Sequence, residues 1–332
     1  MVDLPALPVG LTVAPLTEAD VPAVAGLLVH AEPQDDTGEF PDADDVAEWW
    51  TGWDVDLGRD GIAVVDGDGA LAGYAAVLAS PTFRGAYRIH LEGRVRTDAR
   101  GRGIGRALLD WQRARGAELH AERHPEAPAV LFLEAYETMP ALARLADAAG
   151  FAPERWYRSM ERPLEELPEP GRVEEVRLVP FDRDRDDEVR RVYNVAFAEH
   201  HGTSERDPAS WQRLYTGTRS FRPDLSVLAI GDDGVVGFAL ASVFEADTVA
   251  RGHREVHYGQ IGVLPSARGR GLGSAMIATA LREAAARGCA TAALDVDSDN
   301  VTGALRLYEG LGFRTVRTRV AWSTALPPLR DG

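Results

Sequence analysis

Two glycine-rich turns flanked by arginines are the first features of this chain whose residue types and spacing could do chemistry. Each turn follows an apolar run typical of a strand and opens a segment with helical periodicity. At such a position, backbone N–H groups without helical partners and the helix dipole attract an anion, and glycine lets the backbone approach it closely. We therefore predict phosphate-binding residues at Arg268, Gly269, Arg270, Gly271, Leu272, Gly273 and Ser274, and at Arg100, Gly101, Arg102, Gly103 and Gly105.

The spacing of these turns excludes two other phosphate-binding classes. Neither turn has the G-x-G-x-x-G/A spacing of a Rossmann fingerprint, and neither carries the Gly-Lys-Ser/Thr of a P-loop. A glycine turn can also do no more than cap a helix. Two observations argue against that simpler interpretation: the turn occurs twice in the same strand–helix context, and both copies carry arginines that could face a pyrophosphate.

The repeated turn is part of an internal duplication. Residues 99–107 and 267–275 are identical at seven of nine positions at an offset of 168 residues, and Gly150-Phe151 matches Gly312-Phe313 at an offset of 162. Residues 164–171 are rich in proline and acid and lack helical or strand periodicity, as linkers do. We predict an N-terminal domain over 1–163, a linker over 164–171 and a C-terminal domain over 172–332.

The predicted elements have the same order in both halves. In the C-terminal half, a hairpin turn at Gly231–Gly234 separates two apolar runs, and a third strand spans Val256–Val263. A helix over Leu272–Arg287 and a strand over Ala290–Val296 follow, and then a helix over Val301–Leu311. Antiparallel hairpins followed by a strand–helix–strand–helix unit predict a mixed α/β fold whose sheet is mainly antiparallel.

At this point the residues resemble a known family. Arg-x-x-Gly-x-Gly after a strand is similar to the pyrophosphate-binding motif of the GNAT superfamily, and both turns match it. Residues 297–300, Tyr308 and Gly312-Phe313 resemble the second motif of the family on the CoA side. The resemblance covers the whole chain in two copies. It implies two tandem GNAT-like acyl-CoA N-acyltransferase domains with acetyl-CoA as the co-substrate.

The resemblance also implies roles for individual residues. In the family the amine attacks the thioester directly, and backbone groups of the glycine turn hold the pyrophosphate. Backbone groups around Ile261 and Val263 would bond the pantetheine arm as an added strand does. Tyr308 lies at the position of the general acid, where a phenol protonates the departing thiolate. Asn300 would bond the pantetheine arm, cap the following helix, or do both.

The general base and the acceptor-binding residues are less sharply defined by the sequence. The position of the carboxylate that serves as base in the family falls near His257, although a histidine on a strand is often structural. Glu199, His200 and His201 follow the first helix of the C-terminal half, where the family usually determines acceptor specificity; they could equally form a solvated helix end.

The N-terminal copy departs from the pattern. Aligning the two Gly-Phe pairs places Ala146 where Tyr308 stands and Thr138 where Asn300 stands. Because the general acid is missing, we expect this copy to bind CoA without turnover or to be purely structural.

Composition narrows the partners. The formal net charge of −16 opposes binding to nucleic acid or anionic lipid and favours a cationic amine. No apolar run is long enough to cross a bilayer. The single cysteine, Cys289, fits a reducing cytoplasm. We predict a cytoplasmic monomer or homodimer with no metal site.

These observations favour acetyl transfer from acetyl-CoA to a primary amine of a small molecule. A non-catalytic acyl-CoA-binding regulatory module is the alternative from another class. Acetylation of a peptide N-terminus or of an aminoglycoside would differ only in the acceptor.

Overall fold

The computed structural model describes residues 7–53, 55–80, 82–198, 200, 202–298 and 303–326. The chain forms two compact units. Unit 1 contains the chain up to Arg155 together with the segment from Arg319, and unit 2 spans Trp156–Thr318.

Unit 1 alternates helices with the strands of a mixed sheet. Its helices are α1 (Val21–Asp35), α2 (Ala43–Gly52), α3 (Leu57–Asp60), α4 (Ile104–Arg123) and α5 (Pro140–Ala148). Its strands are β1 (Thr12–Pro15), β2 (Gly61–Val65), β3 (Leu71–Ala79), β4 (Tyr87–Val95) and β5 (Ala129–Tyr136). The last part of β12 (Arg314–Leu326) completes the sheet by pairing antiparallel with β5.

Unit 2 repeats this order. Its helices are α6 (Asp186–Ala196), α7 (Pro208–Trp211), α8 (Glu245–Arg251), α9 (Leu272–Ala286) and α10 (Ala304–Gly310). Its strands are β7 (Arg177–Pro180), β8 (Val227–Gly231), β9 (Gly234–Ser242), β10 (Glu255–Val263) and β11 (Thr291–Asp297). The last part of β6 (Ala152–Pro163) pairs antiparallel with β11.

The compact units therefore differ from the two sequence repeats. Residues from Trp156 of β6 belong to the first repeat but pair within unit 2, and residues from Arg319 of β12 belong to the second repeat but pair within unit 1. The segment predicted as a linker, residues 164–171, lies within unit 2 and is bonded to it. The Leu164 N–H donates to the Ala290 carbonyl at 2.9 Å, and Arg282 donates to the Pro168 carbonyl at 3.1 Å.

Helices cover both faces of each sheet. In unit 2, α9 and α10 pack over one face around a core that includes Tyr258 and Met276, and α6 and α7 pack over the other around Trp211 and Phe238. Unit 1 has the same two layers, with α4 and α5 on one face and α1 and α2 on the other. The sheets are mainly antiparallel with one parallel pair each among the described strands, which confirms the predicted mixed α/β fold.

Element boundaries follow the sequence prediction closely in the second half. The predicted helix over 272–287 is α9, and the predicted strand over 256–263 is β10. The helix predicted from Val301 begins at Ala304 in the described chain, while Val301 lies outside the described residues. Helix α8 was not predicted from the sequence. None of the helices that the structure describes has the length and apolar character required to cross a bilayer.

Unit 1 contains a buried ion-pair cluster whose loss should cost stability. The Arg115 side chain is 4% exposed, and its guanidinium lies 2.8 Å from Asp60, whose side chain is 3% exposed. Replacing Arg115 by methionine leaves that carboxylate buried and unpaired, so we expect the free energy of unfolding to fall by about 3 kcal/mol. Urea denaturation of the unit 1 transition measures this loss.

Arg113 on the same helix is the matched control for this prediction. Its side chain is 44% exposed and lies 4.0 Å from Asp110. Arg113→Met should change the free energy of unfolding by less than about 0.5 kcal/mol. Equal losses in the two variants would show that burial of the pair does not stabilise unit 1.

Candidate active site

The candidate site of unit 2 begins where two parallel strands separate. Pairing of β10 with β11 covers Glu255–His257 and ends at the His257–Ala293 pair, although both strands continue beyond it. The far half of β10 stays paired with β9 through Gln260–Val263. The backbone edge of β10 that faces away from β9 is therefore available for an extended ligand such as a pantetheine arm.

An irregularity in β10 accompanies this separation. Pairing with β9 shifts register between His257 and Gln260, as a β-bulge does. Tyr258, inside the bulge, is buried and donates a 2.8 Å hydrogen bond from its hydroxyl to the Ala280 carbonyl of α9. The bulge is thereby fixed to the helix that the glycine turn opens.

The glycine turn leaves its backbone N–H groups accessible. Gly269 and Gly271 both have φ of +76°, in the left-handed region that glycine adopts without strain. A Cβ added at either position would meet nothing within 4 Å. The N–H of Ala275 donates to the Gly271 carbonyl, so the N–H groups of the first turn of α9 precede the helical ladder. An anion can approach this turn without displacing a side chain.

The arginines of this turn bond to the protein. Arg268 donates to the carbonyls of Val263 and Ala196, each at 3.1 Å, and so joins the end of β10 to the end of α6. Arg270 donates to the Glu174 carbonyl at 2.9 Å and is 44% exposed. The geometry favours backbone N–H groups as anion donors, with Arg268 holding the turn in place.

Tyr308 lies on the short helix that contacts this turn. A Cβ at Gly273 would lie 3.3 Å from Leu307, so glycine allows α10 to approach the first turn of α9 one residue before Tyr308. Tyr308 is 8% exposed and packs edge-on against Phe313 at 6.2 Å. Burial raises the pKa of the Tyr308 phenol to about 12. The hydroxyl therefore keeps its proton at neutral and moderately alkaline pH.

His257, the last residue of β10 paired with β11, lies on the sheet face opposite to α9 and α10. Its Nε2 lies 3.2 Å from Oδ2 of Asp295 on β11, and Oδ1 of Asp295 accepts a 2.7 Å hydrogen bond from the Ser159 hydroxyl on β6. A Cβ at Gly259 would lie 3.4 Å from both Cε1 and Nδ1 of the His257 ring, so the bulge residue lies directly against the imidazole.

The structure brings most of the predicted residues of unit 2 into one region. Ile261 and Val263 lie on the part of β10 beyond the separation, with side chains packed against the core under α9. Asn300, Glu199 and His201 lie outside the described residues. Sequence reasoning missed Asp295 and Ser159. Asp295 is a polar residue in an apolar strand, which is a usable signal, whereas the sequence has no signal for Ser159 because its strand belongs to the other repeat.

Unit 1 has the same turn without the phenol. Gly101 and Gly103 have φ of +76° and +88°, and a Cβ at Gly105 would lie 3.5 Å from Leu145, so the turn and α5 repeat the geometry of unit 2. The next residue is Ala146, which is fully buried. Arg100 forms a bidentate pair with buried Asp35 at 2.7 and 2.8 Å.

Comparison with known proteins agrees with this geometry. The model of the Acetyltransferase (GNAT) family matches residues 187–313. A protein of Frankia alni named mycothiol acetyltransferase is 34% identical over 92% of this chain and 91% of its own length. The chain belongs to the GNAT acetyltransferase family. A mycothiol acetyltransferase of Streptomyces griseus is 33% identical over 80% of this chain and 81% of that protein.

Solved structures share the fold over nearly the whole chain. A GCN5-related N-acetyltransferase from Sphaerobacter thermophilus has a TM-score of 0.74 and 25% identity, and covers 98% of this chain and 99% of its own. A tandem GNAT protein from the clavulanic acid biosynthesis pathway has a TM-score of 0.68 at 17% identity, covering 96% of this chain and all of its own, and shows the tandem fold alone. The GNAT protein described here is an N-acetyltransferase.

The first turn of α9 offers a direct test of anion binding. Gly271→Ala places a Cβ at φ +76° in front of the N–H groups, so we expect acetyl-CoA to bind to unit 2 at least about tenfold more weakly. Titration calorimetry with acetyl-CoA measures the change.

Gly288→Ala at the other end of α9 is the matched control. Gly288 has φ of +81° and open space around a would-be Cβ, so the backbone strain is comparable. This variant should lose similar stability, about 1 kcal/mol, and bind acetyl-CoA normally. If both variants bind alike, the turn is not the anion site.

Proposed function

We propose that unit 2 transfers an acetyl group from acetyl-CoA to the primary amine of a small molecule, with Tyr308 as the general acid. The observation that carries this proposal is the contact between α10 and the first turn of α9 at Gly273 and Leu307. It holds a buried phenol, whose pKa burial raises to about 12, beside the turn that suits a pyrophosphate.

The residues of unit 2 fit acetyl-CoA. The open first turn of α9 offers several N–H groups to a pyrophosphate, and the unpaired edge of β10 at Ile261 and Val263 offers backbone groups to a pantetheine arm. Acetyl-CoA, when bound, supplies the acetyl group as an activated thioester. Tyr308 then keeps a proton ready for the leaving thiol.

His257 is the proposed base. A strand histidine beside the separation of β10 and β11 can take the proton that the amine loses. Asp295 lies within hydrogen-bond distance of Nε2, and a carboxylate there orients the ring and stabilises its protonated form.

For the acceptor, we propose the amine of unacetylated mycothiol. Relatives that share about a third of their residues with this chain over nearly its whole length are named mycothiol acetyltransferases. The net charge of −16 favours a cationic amine over an anionic acceptor. Unit 1 we propose to be catalytically inactive, because Ala146 offers no proton.

Replacing Tyr308 by phenylalanine tests the proposed acid. The change removes one oxygen from a buried side chain and should lower kcat about a hundredfold, while KM for acetyl-CoA stays within about twofold. Thiol release from acetyl-CoA with unacetylated mycothiol measures both constants. The raised pKa keeps the phenol protonated. At pH values up to about 10, wild-type kcat should therefore not decrease through loss of this proton.

Tyr74→Phe in unit 1 is the control for the Tyr308 variant. Tyr74 is also buried, and its hydroxyl donates to Glu92 at 2.9 Å. Its loss should leave kcat unchanged. Unchanged turnover in Tyr308→Phe would contradict the acid assignment, and absence of thiol release with a broad panel of amines would favour a non-catalytic acyl-CoA-binding module.

His257→Gln tests the proposed base. The value of kcat at neutral pH should fall about a hundredfold, because no imidazole takes the proton of the amine. His90→Gln is the matched control, since His90 is the last residue of β4 paired with β5, as His257 is in β10. A kcat of His257→Gln equal to that of the wild type would place the base elsewhere.

A further inference from the structure

A buried arginine lies at the end of the helix that carries Tyr308. Arg162 is near the end of β6, paired opposite Ala292 of β11, and is 6% exposed. Helix α10 ends at Gly310 with Leu311 as its C-cap. Arg162 belongs to the first sequence repeat, and all of the contacts considered below lie within unit 2.

The guanidinium of Arg162 bonds to three backbone carbonyls. Its terminal nitrogens donate to the carbonyls of Leu311 and Glu166, and its Nε donates to the Pro163 carbonyl at 3.1 Å. Leu311 carries a carbonyl that the helix itself leaves without a partner, at the negative end of the helix dipole. One side chain thus joins the end of α10, the end of β6 and the start of the segment between the repeats.

The absence of a side chain at Gly312 leaves space for this guanidinium. It has φ of +87°, and a Cβ there would lie 3.2 Å from a terminal nitrogen of Arg162. The Gly-Phe pair after α10 therefore serves two purposes: it turns the chain and it makes room for the arginine. Phe313, the next residue, packs against the Tyr308 ring.

Burying the charged side chain of Arg162 costs free energy, which indicates that the arginine has a function in the fold or the site. Burial disfavours the charged form and lowers the pKa of Arg162 from its usual value, and its hydrogen bonds to Pro163, Leu311 and Glu166 go to carbonyls rather than carboxylates. Arginine still keeps its charge and satisfies several acceptors in fixed directions, which lysine cannot do. The arrangement specifies the position of α10.

Unit 1 has neither an arginine nor a tyrosine at the positions that correspond to Arg162 and Tyr308. At the offset of 162 residues that aligns the two Gly-Phe pairs, Arg162 of β6 corresponds to Thr324 of β12, which pairs with Leu131 of β5. Thr324 therefore takes the place of Arg162, just as Ala146 takes the place of Tyr308. A Cβ at Gly150, the counterpart of Gly312, would meet nothing within 4 Å. The arginine and the phenol are present together in unit 2 and absent together in unit 1.

We propose that Arg162 is a positioning residue that fixes the end of α10 and thereby aims the Tyr308 hydroxyl at the leaving thiol. The proposal rests on the assignment of Tyr308 as the general acid. It makes turnover in unit 2 depend on a side chain that the first repeat delivers through β6.

A double-mutant cycle tests this coupling. Arg162→Lys keeps the charge but cannot reach all three carbonyls in the same directions, so kcat should fall about tenfold with KM for acetyl-CoA unchanged. In a Tyr308→Phe background, the same change should alter kcat by less than about twofold, because the residue through which it acts is gone. Rates are measured by thiol release with unacetylated mycothiol, or with the best acceptor from an amine panel.

Stability controls separate positioning from general damage. Arg115→Lys removes the fork of another buried arginine, in unit 1, and should lower the melting temperature without changing kcat. Arg162→Met should lower the melting temperature more than Arg162→Lys does, and Arg162→Lys is assayed well below its own melting temperature.

Each outcome of the cycle has a defined meaning. Additive losses, with Arg162→Lys costing as much without Tyr308 as with it, would overturn the positioning role while leaving Tyr308 as the acid. A fall of kcat in Arg115→Lys equal to that in Arg162→Lys would also overturn it. If Tyr308→Phe alone leaves kcat intact, the proposed acid fails first and the positioning role fails with it.

Discussion

The separation of two parallel strands is the constraint on which the rest of unit 2 depends. While β10 and β11 are paired, their backbone groups satisfy one another, and beyond His257 and Ala293 that pairing ends. A strand edge with unsatisfied N–H and C=O groups invites either another chain or an extended ligand. The helix that begins just after β10 then places its own unpaired N–H groups at the end of the same opening.

Several details serve to hold this opening in shape. The β10 bulge is tied to α9 by the Tyr258 hydroxyl, and Arg268 ties the end of β10 to α6. Glycine at position 273 lets α10 approach the turn. Unit 1 has the same glycine turn, but Ala146 and Thr324 occupy the positions of Tyr308 and Arg162.

Much of this arrangement could be predicted from the sequence, because it is local. The glycine turn, the start of α9 and the position of Tyr308 depend on spacing within one repeat, and the repeated Gly-Phe pair fixed the alignment that revealed Ala146. That alignment did not reveal that His257 and His90 occupy equivalent positions in the two repeats. The extra residue of the β10 bulge places His257 one position out of step with His90 at the offset of 168 residues.

The long-range contacts could not be predicted in the same way. Ser159 and Arg162 lie before the linker, so the sequence assigns them to the other half of the chain, and only strand pairing shows that they belong to unit 2. Asp295 depends on the register between β10 and β11, which periodicity within one strand does not determine. Helix α8 is short and closely follows an apolar strand, so its seven residues are too few to show a helical period.

The most direct test of this account is a crystal structure of the chain with bound CoA. We predict that the pyrophosphate accepts hydrogen bonds from backbone N–H groups between Gly269 and Ser274, that the pantetheine arm runs along β10 beyond His257, and that the thiol lies within about 3.5 Å of the Tyr308 hydroxyl. A pyrophosphate bound elsewhere, or a thiol directed away from Tyr308, would contradict the central claim.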